Sequence, residues 1–310
     1  MTDWGHFPFG RPNTPRPLRR ASAPTEVLVI GVYPSAWHVC WTAPKCGKGI
    51  GARGRINALA ADVEPKVFWA GDRDADDFAS RVKDWCSEVG FARGDSPGQN
   101  GQIGQYSPPA NGSSGKGVVA HYLDPLKADI DTTSFTDIFP VFMVKYSDTV
   151  RTQPRKRRQQ GDAIREDYDS LAHLMGMQMA TLPARFSRKE LPHRAIEYFR
   201  DKLHDEYVET KPSLVISLGE EVWSAVRMWP GFRATHPVAE FRKLEGPQYG
   251  ERGEIVADGH SAEWLPLVHP GLLRHAGVLR QVSGSWEHLH ASWEERMCGG
   301  EPVAAADRTD

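Results

Sequence analysis

The sequence predicts a layered α/β fold built on a short, mainly parallel sheet, and three observations carry that expectation. Four short apolar runs, at residues 26–31, 135–139, 213–218 and 264–268, each stop at or near a glycine or proline, as strands buried on both faces do. Helical stripes of apolar residues lie between them. Strands that alternate with helices favour parallel pairing through crossover connections.

In chain order, residues 1–24 hold five prolines and a basic cluster of Arg16, Arg19 and Arg20, which reads as a flexible arm outside the core. The first strand, Glu26-Val-Leu-Val-Ile-Gly31, runs into Pro34. A helix follows Asp72, where Phe78, Val82, Trp85, Cys86 and Val89 recur at helical spacing. Residues 93–117 are dense in Gly, Pro, Ser, Asn and Gln and read as an insertion. The second strand, FTDIF, ends at Pro140. A second insertion, residues 151–162, carries five basic residues. Ala195, Ile196, Phe199, Leu203 and Tyr207 form one helical stripe into the third strand, SLVISL, which stops at Gly219. A short helix spans 220–228, the fourth strand WLPLV ends at His269-Pro270, and a closing helix spans 276–297. One domain over 25–298 with a disordered tail at 299–310 is the expected organisation. Ligands of such sheets bind beyond the carboxyl ends of the strands, which points to the loops after Gly31, Phe139, Leu218 and Val268.

Composition narrows the class. The 310 residues are 40% hydrophobic and 25% charged, with a net charge of −2, so any nucleic-acid contact must come from local basic patches. Cys40, Cys46, Cys86 and Cys298 are too few and too scattered for a disulfide framework. With no long apolar run and no signal-peptide pattern, the expectation is a cytoplasmic protein without membrane contact.

Three motifs converge on one chemistry. The first is Gly31-Val-Tyr-Pro-Ser-Ala-Trp-His38-Val-Cys-Trp41, a strand that ends in Gly-x-x-Pro with polar and aromatic residues beyond. The second is Lys211-Pro-Ser-Leu-Val-Ile-Ser-Leu-Gly219, and the third Leu267-Val-His-Pro-Gly-Leu-Leu-Arg274. Each alone is an ordinary strand-to-helix turn. In this order and spacing they resemble the uracil-DNA glycosylase superfamily, most closely its bacterial thermostable branch at residues 211–219 and 267–274. The resemblance implies a three-layer α/β/α domain that flips a base out of DNA and hydrolyses its N-glycosidic bond, leaving an abasic site. It implies that Tyr33 and Ser35 shape the catalytic loop together with Pro34. Trp41 stacks on the base with His38 nearby, Asp137 reads the base, and His269 stabilises the leaving group.

The chemistry explains these residue types. The sugar passes through an oxocarbenium-like state and the base leaves as a near-anion, so a carboxylate places water while a donor holds the departing charge. The sequence departs from the family pattern at Tyr33, where the best-known branches carry an acid or amide. A phenol is no general base near neutral pH. Asp62 and Glu64, in Ala-Ala-Asp-Val-Glu-Pro65, are the substitute acids; helix capping or a solvated charge is the alternative role for each. Asp137 stands where the family reads its base with asparagine. A carboxylate accepts only, which suits an exocyclic amine and so a cytosine-type or modified base. A bulky modified phage base would make the protein a defence factor instead of a repair enzyme.

Arg155, Lys156, Arg157 and Arg158, with Arg151, are the candidates for phosphate binding, and Arg274 follows the His-Pro motif. Gly112-Ser-Ser-Gly-Lys116 lacks the first glycine and the Ser/Thr of a phosphate loop. The cysteine spacing does not fit the iron–sulfur cluster of the thermostable branch, so no metal and no small-molecule cofactor are expected. The expected partner is DNA, bound by a monomer. Two rivals stand beside this reading: a non-catalytic DNA or modified-base binder on the same fold, which Tyr33 favours, and an unrelated α/β enzyme acting on small nucleosides.

Overall fold

The computed structural model describes residues 2–7, 11–42, 55–88, 111–144, 180–273 and 283–299. The chain forms two compact units interleaved along its length. One comprises residues 1–19, 32–116 and 137–199, the other residues 20–31, 117–136 and 200–310.

The second unit holds a six-stranded sheet. Its strands are β1 (Val27–Gly31), β4 (Thr133–Asp137), β5 (Leu214–Leu218), β6 (Arg233–Thr235), β7 (Gly253–Ala257) and β8 (His260–Leu267), in spatial order β4-β1-β5-β8-β7-β6. The last residue of β4, Asp137, is the first of the other unit's third segment. β1 pairs with β5 and β5 with β8 in parallel, with Val27 opposite Leu214 and Leu214 opposite Glu263. Bonds from Glu26 N–H to Thr132 O at the amino ends, and from Phe139 N–H to Val32 O at the carboxyl ends, give β4 the same sense as β1. β1 and β5 are buried along their whole length, which is why both read as unbroken apolar runs.

The sheet is mixed, where the sequence predicts a mainly parallel one, because β7 precedes β8 in an antiparallel hairpin. Its two-residue turn is Asp258-Gly259, with φ of 46° and 78°, the left-handed pair that matches the twist of the flanking strands. The fourth strand therefore starts at His260, four residues before the expected Trp264. The expected single stripe over 195–207 is two helices, Glu190–Phe199 and Lys202–Thr210. The helix Glu220–Met228 lies where expected, and the closing helix runs over Ser283–Gly299.

The first unit is built around an antiparallel ribbon of β2 (Ala36–Thr42) and β3 (Arg55–Val63). Trp37 faces two residues of the helix Ala75–Glu88, Phe78 and Trp85, with ring centroids 6.1 Å away in each case. The segment expected as an arm is packed instead. Phe7 joins Ala36, Ala60, Val63, Val144 and Leu182 in one core cluster, and Asn13 donates to the carbonyls of Trp4 and Phe142. Its prolines forbid helix but leave it extended, and its aromatic side chains supply the burial that holds it. Of the first insertion, residues 111–117 are described: Asn111 is buried and a helix starts at Ser113. Residues 93–110 and the whole of 151–162 lie outside the described residues. No helix among the described residues is long and apolar enough to cross a membrane.

Candidate active site: a buried carboxyl pair

The four same-sense strands stand in the order second, first, third, fourth along the chain, so sheet growth reverses beside β1. At such a reversal α/β sheets bind ligands beyond their carboxyl ends. Within the first unit, burial raises two described acids, Asp62 and Glu64.

Glu64 and Asp137 are 5% and 3% exposed. Glu64 follows β3 directly, and its backbone N–H donates to Ser35 O at 3.0 Å, while Ser35 N–H donates to Glu64 Oε1 at 3.3 Å. The Gly-x-x-Pro turn thus clasps the acid through the backbone of Ser35, a residue that is itself exposed. Burial, and then the negative charge of Asp137, push the Glu64 carboxyl well above the usual carboxylate range. The Ser35 N–H and the guanidiniums of Arg16 and Arg19 pull the other way. Asp62 sits two residues earlier, opposite Trp37 in the ribbon. Its Oδ2 lies 3.0 Å from Arg11 Nε, and its Oδ1 accepts from Val63 N–H at 2.7 Å. Burial still raises Asp62.

The other predicted residues have partners of their own or lie outside the described residues. The Arg185 guanidinium covers the Tyr33 ring at 5.3 Å. His38 exchanges both backbone bonds with the Asn111 amide at 2.9 Å each, and burial lowers its ring to about 4, so it is neutral near pH 7. Trp41 pairs with Ile56 through its backbone; its side chain is outside the described part of the structure, as are Arg155, Lys156, Arg157, Arg158 and Arg274. The sequence does not single out Arg11, Arg16 and Arg19 for the site, because a Pro- and Arg-rich segment reads as an arm. Arg11 and Arg16 each precede a proline, and Arg16 and Arg19 belong to the basic cluster with Arg20; those are the signals they leave in the sequence.

His269 belongs to the second unit. Its Nδ1 accepts from Gly271 N–H at 3.0 Å, which places the proton of the neutral ring on Nε2. The preceding residue is held on both sides by buried tyrosines. Tyr122 Oη donates to Val268 O at 2.5 Å, and Val268 N–H donates to Tyr249 Oη at 3.1 Å. Tyr249 in turn bonds His290 Nδ1 at 2.7 Å, and His290 Nε2 meets His121 O at 3.0 Å. Because a carbonyl only accepts, His290 carries its proton on Nε2 and Tyr249 donates to Nδ1, so the chain of bonds has one consistent direction. Burial keeps His290 neutral, lowered to about 4.

No group of three or more His, Cys, Asp or Glu side chains among the described residues is arranged to hold a metal ion. The chain matches no family model, and no curated protein matches it.

Proposed function

We propose that the chain is a monofunctional DNA glycosylase of the uracil-DNA glycosylase type, a three-layer α/β/α protein of the cytoplasm. The observation that carries this reading is the Glu64–Asp137 pair, buried beside the Val32-to-Ser35 turn at the place where the resemblance puts its water-activating loop. A glutamate raised toward the working pH is a better proton acceptor than an ordinary one. Once ionised, Glu64 orients a water against the anomeric carbon of the flipped nucleotide. The water oxygen bonds that carbon, the carbon–nitrogen bond breaks with its electron pair leaving on the base, and the water proton passes to Glu64. Asp137 accepts from an exocyclic amine, which selects a cytosine-type or modified base over uracil. The resemblance assigns His269 the donation to the departing base, and its Nε2–H tautomer has the polarity for that task.

The test is incubation with oligonucleotides carrying uracil, cytosine or modified cytosines, followed by alkaline cleavage at abasic sites. Strand breaks with an amino-substituted pyrimidine, lost in Glu64→Gln, are expected. Absence of breaks on every substrate, together with tight salt-sensitive binding that Glu64→Gln leaves intact, would establish the binder reading instead. Breaks confined to uracil would remove the assignment of Asp137.

A further inference from the structure

The acid pair is not held by the ribbon and the sheet-end segments alone. Arg16, from the N-terminal segment, bonds to both of the stretches that carry the two acids. Its Nη2 donates to Val63 O at 3.1 Å, one residue before Glu64, and its backbone N–H donates to Pro140 O at 2.7 Å, three residues after Asp137. Arg19 reaches the continuation of the first stretch, donating to Phe68 O at 3.0 Å, and Arg11 engages Asp62. The packing of Phe7 and Asn13 anchors the segment on which these three arginines ride.

We propose that Arg16 is a positioning residue of the active site: it ties the Glu64 and Asp137 stretches together and sets the charge around the pair. One side chain and its own backbone span two stretches more than seventy residues apart in sequence, so its loss frees the acids to move relative to each other. Its guanidinium is largely buried, which weakens screening by water and strengthens its field at the carboxyls. The charged groups acting on Glu64 are Asp137, which favours the protonated acid, and Arg16 and Arg19, which favour the carboxylate. Arg16 itself also feels Asp62 and Arg11. Removing its charge therefore makes Glu64 harder to ionise.

This inference rests on the reading of Glu64 as the water-activating acid and Asp137 as the base-reading one, but its test does not require turnover. The Glu64 carboxyl carbon, assigned by its disappearance in Glu64→Gln, is followed by NMR through a pH titration in the full-length protein. Its midpoint is expected to move to higher pH in Arg16→Met and Arg16→Gln and to move less in Arg16→Lys, which keeps the charge. Gln keeps a donor for Val63 O and so guards against a simple folding defect in Arg16→Met. Where base excision is measurable, Arg16→Met lowers kcat about tenfold, leaves KM for DNA nearly unchanged, and shifts the acidic limb of the pH–rate profile upward. An unchanged Glu64 midpoint in a folded Arg16→Gln protein overturns the proposal whatever the enzyme does. A shifted midpoint in a protein that excises no base upholds the electrostatic role and removes the glycosylase.

Discussion

Glu64 is buried, and its carboxyl is held well above the usual range. Because burial and Asp137 raise it, the folded state keeps a proton that the unfolded chain releases above the ordinary glutamate range. Folding free energy is therefore full below that range and declines as pH rises toward the folded value. Glu64→Gln removes the decline. The variant is expected to match the wild type near pH 4 and to exceed it near pH 8, each tenfold in proton affinity being worth about 1.4 kcal/mol; urea midpoints at the two pH values read this directly. Asp137→Asn lessens the same decline. It removes the neighbouring charge, so Glu64 ionises at lower pH and the acidic limb of the pH–rate profile moves down. An amide both donates and accepts, and the ratio of uracil to cytosine-type excision is expected to rise with it. Residue type and position in the chain single out both acids; their mutual influence is not legible there, because seventy-odd residues separate them and only folding makes them neighbours.

At the scale of elements, two backbone devices organise the molecule. The end of β8 is pinned by Tyr122 and Tyr249, and Tyr249→Phe removes the acceptor for Val268 N–H and the donor to His290 while keeping the ring. The expected cost is about 1–3 kcal/mol, the penalty of buried polar groups left unbonded, seen as a lowered urea midpoint with unchanged slope. His290 adds a pH signature. Its folded value of about 4 lies below the usual 6.5, so the unfolded chain takes up its proton first and stability falls as pH drops from about 6.5 to about 4, by up to roughly 3 kcal/mol. The second device is the close approach at the helix that starts at Ser113. A Cβ on Gly115 meets the carbonyl oxygens of Phe68 and Trp69 at 2.4 Å. Backbone cannot yield as a side-chain tip does, so Gly115→Ala is expected to cost on the order of 3 kcal/mol, measured by thermal unfolding. Strands β1 and β5 are plain in the sequence because branched apolar runs buried on both faces have few alternatives. The hairpin of β7 and β8 is not, although its Asp-Gly turn is a strong signal: Glu254, Ser261 and Glu263 are polar and interrupt the apolar runs by which the other strands stand out.

For the whole molecule, a net charge of −2 means that the DNA binding proposed above has to come from local basic groups. Neutralising Arg155, Lys156, Arg157 and Arg158 together is expected to weaken binding uniformly across sequences and to flatten its salt dependence by about one unit of slope for each phosphate no longer neutralised. A slope that does not change would clear those residues of the role. The N-terminal segment shows how far composition misleads at this scale. Proline and arginine content describes a solvated arm equally well, and nothing local reveals that Phe7 finds a core cluster or that Arg16 finds Val63 and Pro140. Local patterning, through the alternation of apolar runs and helical stripes, determined the α/β class and the parallel pairing of β1, β5 and β8, while Asp62, Glu64 and Asp137 stand in the sequence as candidate acids. Tertiary structure alone decided which charges those acids feel, because ionisation depends on burial and on neighbours brought from distant parts of the chain, and neither is written in the order of residues around Glu64.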